Sequence, residues 1–134
     1  MIMFLIVMFV LVMALALWAA PTAVRRQGMP EYLDHTPAAD ITAGDVVVIG
    51  ARVLVADRAI PANTKGALAC CGVYQMPKST AGGSAIAAHT KVYWDAAVKQ
   101  ITTNAAAGAN KQVGYTVLAS VDADATQEVF LQSA

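Results

Sequence analysis

The residue types that could carry chemistry are few, and the histidines are the first to consider. His35 and His89 lie far apart in the chain, and neither has a Cys, His or carboxylate partner at the spacing of a metal site. We therefore interpret both histidines as loop or edge residues of a folded domain.

The acidic run Asp122-Ala123-Asp124, followed by Glu128, has some likeness to a calcium-binding loop. It lacks the glycine and the remaining ligand positions of such a loop, so we interpret it as a solvated turn. A hydrolase serine would need a G-x-S-x-G turn, and the sequence contains none. The sequence therefore predicts no catalytic residue, no cofactor and no metal, and a protein that is not an enzyme.

The two cysteines, Cys70 and Cys71, are adjacent. A disulfide between neighbours closes a strained ring, and on a strand the two side chains point to opposite faces. We interpret them as small apolar residues of a strand without a disulfide.

Composition limits the partners of the chain. Its 134 residues suffice for one domain with a core, the formal net charge is +0, and only 13% of the residues are charged while 57% are hydrophobic. Because no basic field is available to attract phosphates, we exclude nucleic acid as a partner.

Much of the apolar content lies in an uncharged leader, residues 1–20, which would span about 30 Å as a helix. Pro21 and the pair Arg25-Arg26 follow it. The leader suits a transmembrane anchor with Trp18 near the interface, a signal peptide that lacks a basic start, or an arm buried against other subunits. A mis-assigned gene start is a fourth alternative. We divide the chain into an apolar arm or leader, residues 1–27, and a β-domain, residues 28–134.

After the leader, short β-branched or apolar runs alternate with turn residues, which predicts an all-β fold, a small sandwich or barrel. Residues 84–89 could form one helical turn. Gly114 predicts a bulge or the close approach of another backbone. The predicted strands are residues 31–33, 45–49, 52–56, 67–76, 91–95, 100–103, 112–118 and 127–131.

Tyr93 and Trp94 are the largest neighbouring side chains of the body. Because side chains alternate along a strand, Trp94 would face the core with Val92, and Tyr93 would face outward as a contact candidate. The alternative is that both rings pack inside a two-layer sandwich.

Four segments, taken in order, carry a family resemblance: TPAADITAGDVVVIG, IPANTKGALA with GVYQMPK, KVYWDAAVKQIT, and QVGYTVLASVDADATQEVFL. Together they resemble the capsid cement proteins of tailed phages, also called decoration proteins, over about residues 27–131. The leader departs from that pattern, because family members usually begin near the position of Arg26.

The resemblance implies a jelly-roll-like or barrel module that binds the outer surface of an icosahedral phage head. It would bridge subunits of the major capsid protein without catalysis, and would form a dimer or trimer on the virion. The alternative is a small β-domain binding module anchored in a membrane. The candidate capsid or subunit contacts are Phe4, Phe9, Trp18, Arg25, Arg26 and Tyr93.

Overall fold

The computed structural model describes residues 22–27 and 31–132, with only the backbone of Gln27. Strand formation follows the β-branched and alternating segments of the sequence, as in the run Val46–Ile49. Ten strands are present in the described residues: β1 (Val24–Gln27), β2 (Tyr32–His35), β3 (Val46–Ile49), β4 (Arg52–Val55), β5 (Gly66–Ala69), β6 (Cys71–Pro77), β7 (Lys91–Asp95), β8 (Gln100–Thr102), β9 (Lys111–Thr116) and β10 (Thr126–Gln132).

The strands form two antiparallel sheets, which confirms the predicted all-β fold. The larger sheet has the order β1-β6-β10-β9-β7-β8, and the smaller has the order β2-β5-β4-β3. Strand β1 lies in the segment predicted as an arm or leader, residues 1–27, and it pairs with β6 at one edge of the larger sheet. The predicted arm or helix, residues 1–20, lies outside the described residues, and the jelly-roll likeness stays a prediction.

The prediction of one strand over residues 67–76 is wrong, because the chain changes sheets between the two cysteines. The Cys70 N–H donates to the Glu31 carbonyl at 2.8 Å beside the smaller sheet, whereas Cys71 pairs with Gln132 in the larger sheet. Gly72 adopts a φ of 119°, which a residue with a side chain rarely tolerates. The sequence does not reveal this crossing, because β5 and β6 are both largely buried and therefore form one unbroken apolar run.

The predicted helical turn over residues 84–89 is also wrong. Its backbone bonds to distant residues: the Ile86 N–H donates to the Ser120 hydroxyl at 3.3 Å, and the His89 N–H donates to the Thr116 carbonyl at 2.8 Å. These long-range partners replace the local bonds that a helix needs. Within the described chain, the 3₁₀ turn lies instead at Ala106–Gly108, inside the alanine-rich loop before β9.

The main core lies between the sheets. Val53 and Val55 of the smaller sheet pack against residues of the larger sheet, including Trp94, which is 4% exposed. The half-buried Tyr93 is adjacent on the same strand, so the predicted alternation of these two residues is confirmed. The other large core residues of the bigger sheet are Tyr74, Met76, Val92, Ile101, Val113, Val129 and Leu131.

A second, smaller cluster covers the far side of the smaller sheet. It contains Leu54, Ala56, Ile60 and Leu68, with Ile41, Val47 and Cys70 packed against it. Ile60 belongs to the connection between β4 and β5, which folds back over its own sheet. The smaller sheet is therefore buried on both sides at its central strands β4 and β5, whereas its edge strands β2 and β3 stay largely exposed. The far side of the larger sheet also carries exposed residues.

Gly114 confirms the predicted bulge and close approach. The pairing of β7 with β9 shifts register between Val92 and Tyr93, with Val92 opposite Gly114. A Cβ atom on Gly114 would lie 1.9 Å from the backbone oxygen of Phe130. No rotation of a side chain can relieve that overlap, so β9 and β10 approach each other as closely as they do because residue 114 is glycine.

We expect Gly114→Ala to destabilise the fold by at least about 3 kcal/mol, since strands β9 and β10 would have to separate. Urea denaturation followed by circular dichroism measures the loss. Gly82→Ala is the matched control, because a Cβ there meets nothing within 4 Å. Equal stabilities for the two variants would contradict the close approach.

Candidate functional site

The far side of the larger sheet, which we call the outer face, carries a row of residues that are directly opposite one another on four strands. Val73 of β6 lies opposite Phe130 of β10, Phe130 lies opposite Tyr115 of β9, and Tyr115 lies opposite Lys91 of β7. Phe130 and Tyr115 are each 40% exposed. Side chains in directly opposite positions are close enough to form one continuous surface, which we call the cross-strand row.

Tyr93 lies on the outer face two residues beyond Lys91, opposite Thr102 of β8. It therefore belongs to the same side of the sheet as the cross-strand row, and its role as a contact stays a prediction. Phe130 is not apparent as a surface residue from the sequence, because it lies between two apolar neighbours, Val129 and Leu131, in a run that hides the alternation. The signal that could have identified it is Glu128: a polar residue on this strand should face solvent, and Phe130, two residues later, must lie on the same face.

Arg26 lies at the other end of the outer face. Its Nε is 3.7 Å from the Glu128 carboxylate, and both side chains are partly exposed. Beside them, the Gln75 amide donates to the Thr126 hydroxyl at 2.7 Å. Such an exposed ion pair adds little stability, so its main effect is to give the row a polar border.

Two more exposed apolar residues lie in the loop between β9 and β10, where Leu118 is 60% and Val121 is 63% exposed. The acidic residues of this loop turn toward the protein: the Asp122 carboxylate accepts the Ala85 N–H at 2.7 Å, and the Asp124 carboxylate accepts the Val121 N–H at 3.0 Å. Backbone N–H groups of Ala85 and Gly83 lower the pKa of Asp122. The loop thus satisfies its carboxylates internally and directs apolar side chains to solvent.

The acidic run forms an exposed turn, as predicted. In the described part of the chain, no three His, Cys, Asp or Glu side chains come together in a way that could hold a metal ion. His35 lies at the end of the edge strand β2 and His89 lies in a turn, which confirms their predicted positions.

Arg25 points away from the outer face, toward a polar cluster that joins the two sheets. Its Nε is 3.9 Å from the Asp57 carboxylate. The Tyr32 hydroxyl of the smaller sheet donates to Asp57 at 2.9 Å, and the Tyr74 hydroxyl of the larger sheet donates to it at 3.1 Å. The structure therefore separates Arg25 from Arg26 and Tyr93.

The cluster alters the tyrosines. Burial raises the pKa of Tyr74 well above its usual value, and the negative charge and hydrogen bond of Asp57 raise it further. The hydrogen bond to Asp57 is the main cause that raises the pKa of Tyr32. Both phenols are thereby held in the neutral form that can donate to Asp57.

We expect this cluster to make the fold sensitive to alkali. The pKa of Tyr74 is higher in the folded protein than in the unfolded chain, where it has the ordinary tyrosine value of 10.0. Above pH 10 the phenol therefore ionises first in the unfolded chain, which lowers the free energy of unfolding. Below pH 10 this contribution to stability is fully present. Tyr74→Phe should therefore lose stability less steeply than the wild type above pH 10. Urea denaturation of both proteins at a series of pH values tests this. The difference between their free energies of unfolding at neutral pH gives the pH-independent cost of the substitution, which is subtracted at each higher pH. Parallel curves across the alkaline range would contradict the assignment.

Phe4, Phe9 and Trp18 lie outside the described residues, and their contact roles stay predictions. In the portion that the structure describes, no helix has the length and apolar character needed to cross a membrane.

Comparison with known proteins gives one clear result. No curated protein and no solved structure matches the chain. A family model described as "Phage cement protein" matches residues 27–131, which include every strand after β1 apart from the last residue of β10. Cement proteins are structural proteins of the phage capsid, and the match covers well over half of the sequence. The chain therefore belongs to the phage cement protein family.

Proposed function

We propose that this protein binds the outer surface of an icosahedral phage head and stabilises it by bridging neighbouring subunits of the major capsid protein, without catalysis. The observation that carries the proposal is the family match over residues 27–131. The mechanism is thermodynamic: a protein that binds the assembled shell and not its separated subunits adds its binding free energy to the assembled state.

We place the contact on the outer face of the larger sheet. The smaller sheet covers its own far side with the β4–β5 connection, so it offers less apolar surface to a partner. The cross-strand row instead exposes two aromatic rings, Phe130 and Tyr115, beside Lys91. Aromatic residues surrounded by a polar border are the side chains that commonly dominate binding energy at protein interfaces.

Bridging requires a second contact. Strand β3 is an edge of the smaller sheet, and its Val48 and Ile49 are 39% and 38% exposed. An unpaired edge with apolar side chains suits association with another copy of the chain. In a dimer or trimer of this kind, each further attachment to the shell becomes intramolecular and gains avidity.

We expect the double variant Phe130→Ser/Tyr115→Ser to lose at least about tenfold in affinity for purified heads that lack the protein, since each buried aromatic anchor contributes roughly 1–3 kcal/mol. Heads incubated with each variant are sedimented in a density gradient, and the ratio of bound variant to major capsid protein in the head fraction gives the occupancy. Heat resistance of the loaded heads is the second measurement.

Val98→Ser is the matched control, because Val98 is 59% exposed but lies in the β7–β8 turn. Circular dichroism checks that every variant is folded. If the double variant binds as the wild type does, the outer face is not the contact. If the wild type does not bind heads at all, the proposed function itself is wrong.

We further propose that the leader, residues 1–20, acts as an assembly arm through apolar side chains such as Phe4, Phe9 and Trp18. Burial of apolar side chains contributes roughly 0.8 kcal/mol per CH₂ group before ordering entropy is subtracted. Deletion of residues 1–20 should therefore lower head occupancy and heat resistance. Full occupancy after deletion would contradict the arm, and partition of the intact protein into detergent would favour the membrane-anchor alternative.

A further inference from the structure

Lys78 is the most unusual side chain in the described residues, because it is a cation with only 2% of its surface exposed. It directly follows β6 and points between two loops, residues 79–85 and 118–125. Burial of an ammonium costs several kcal/mol unless polar partners replace the lost water. The side chain must therefore find those partners inside the protein.

Five oxygen atoms, which we call the lysine cage, surround the Lys78 ammonium. The carbonyl oxygens of Ser79 and Asp124 are at 2.7 and 2.9 Å from Nζ, and that of Val121 is at 3.1 Å. The Asp122 carbonyl at 3.4 Å and the Ser84 hydroxyl at 3.5 Å complete the cage. These groups present their negative ends to one point, as carbonyls do around a bound potassium ion.

The loops that form the cage are fixed by bonds that do not involve the ammonium. The Ser84 hydroxyl donates to the Ala81 carbonyl within the first loop, and the Ala85 N–H of that loop donates to the Asp122 carboxylate of the second loop at 2.7 Å. The Asp124 N–H donates to the Val121 carbonyl at 3.1 Å. The cage oxygens should therefore stay close together when the lysine side chain is shortened.

We propose that the lysine cage is a binding site for a monovalent cation, filled in this protein by the tethered ammonium of Lys78. The five oxygens are four carbonyls and one hydroxyl, with no carboxylate among them, and the shortest distances are those of ammonium hydrogen bonds, so the site suits a monovalent cation such as ammonium or potassium. The bound charge adds stability to the loop that exposes Leu118 and Val121, whose shape is already set by its other hydrogen bonds. This inference goes beyond the proposed function and does not depend on it.

The test uses two variants of the full-length protein. Lys78→Ala opens the cage to solvent ions, whereas Lys78→Met fills it with an uncharged side chain of similar length. Both should lower the melting temperature by roughly 10 °C, because the cage carbonyls lose a charged donor. Ammonium chloride, methylammonium chloride or potassium chloride should restore much of that loss for Lys78→Ala and not for Lys78→Met.

Tetramethylammonium chloride at the same ionic strength is the salt control, because it has no N–H group and is too large for the cage. The wild type in each salt corrects for general effects on stability. If Lys78→Ala does not fold in low salt, the measurement becomes its refolding yield, which should be higher in ammonium chloride than in tetramethylammonium chloride. A melting temperature of Lys78→Met equal to that of the wild type, or a response of Lys78→Ala that is the same in all salts, would overturn the proposal.

Discussion

Burial of one shared core between two sheets is the constraint that determines the rest of this structure. Trp94, Tyr74 and Val129 must face inward, and their strand neighbours consequently face outward. The positions of Phe130, Tyr115 and Tyr93 on the outer face follow from that requirement. The outer face is thus a consequence of core packing, and any change that shifted a strand by one residue would exchange the two faces.

The two sides of the sandwich differ because two connections, β2–β3 and β4–β5, place Ile41 and Ile60 over the far side of the smaller sheet. The segment between β4 and β5 places Ile60 against Leu54 and Leu68 and so covers the smaller sheet. The larger sheet retains exposed aromatic side chains on its far side. Exposed apolar surface in every direction would favour nonspecific association, whereas this arrangement places the exposed Phe130 and Tyr115 together on the outer face.

Local sequence patterns predicted most of the strands, because β-branched runs and turn residues act over a few positions. The pattern also distinguished Trp94 from Tyr93, where a polar neighbour marks the period. It failed at Cys70 and Cys71, where both halves of one apolar run are buried in different sheets, and at Val24–Gln27, whose partner is far away in the chain. The burial of Lys78 could not be predicted either, since three of its five acceptors are backbone carbonyls from one distant loop, and a backbone carbonyl carries no mark in the sequence.

The pairing order of the larger sheet has a consequence for synthesis on the ribosome. Strand β1 pairs with β6, and the other neighbour of β6 is β10, which ends at Gln132. Among the described strands, β1 therefore waits for a partner much later in the chain, and that partner waits in turn for β10. The smaller sheet and the β7–β8 hairpin can pair before β10 is synthesised, but the larger sheet is not closed until β10 has joined it.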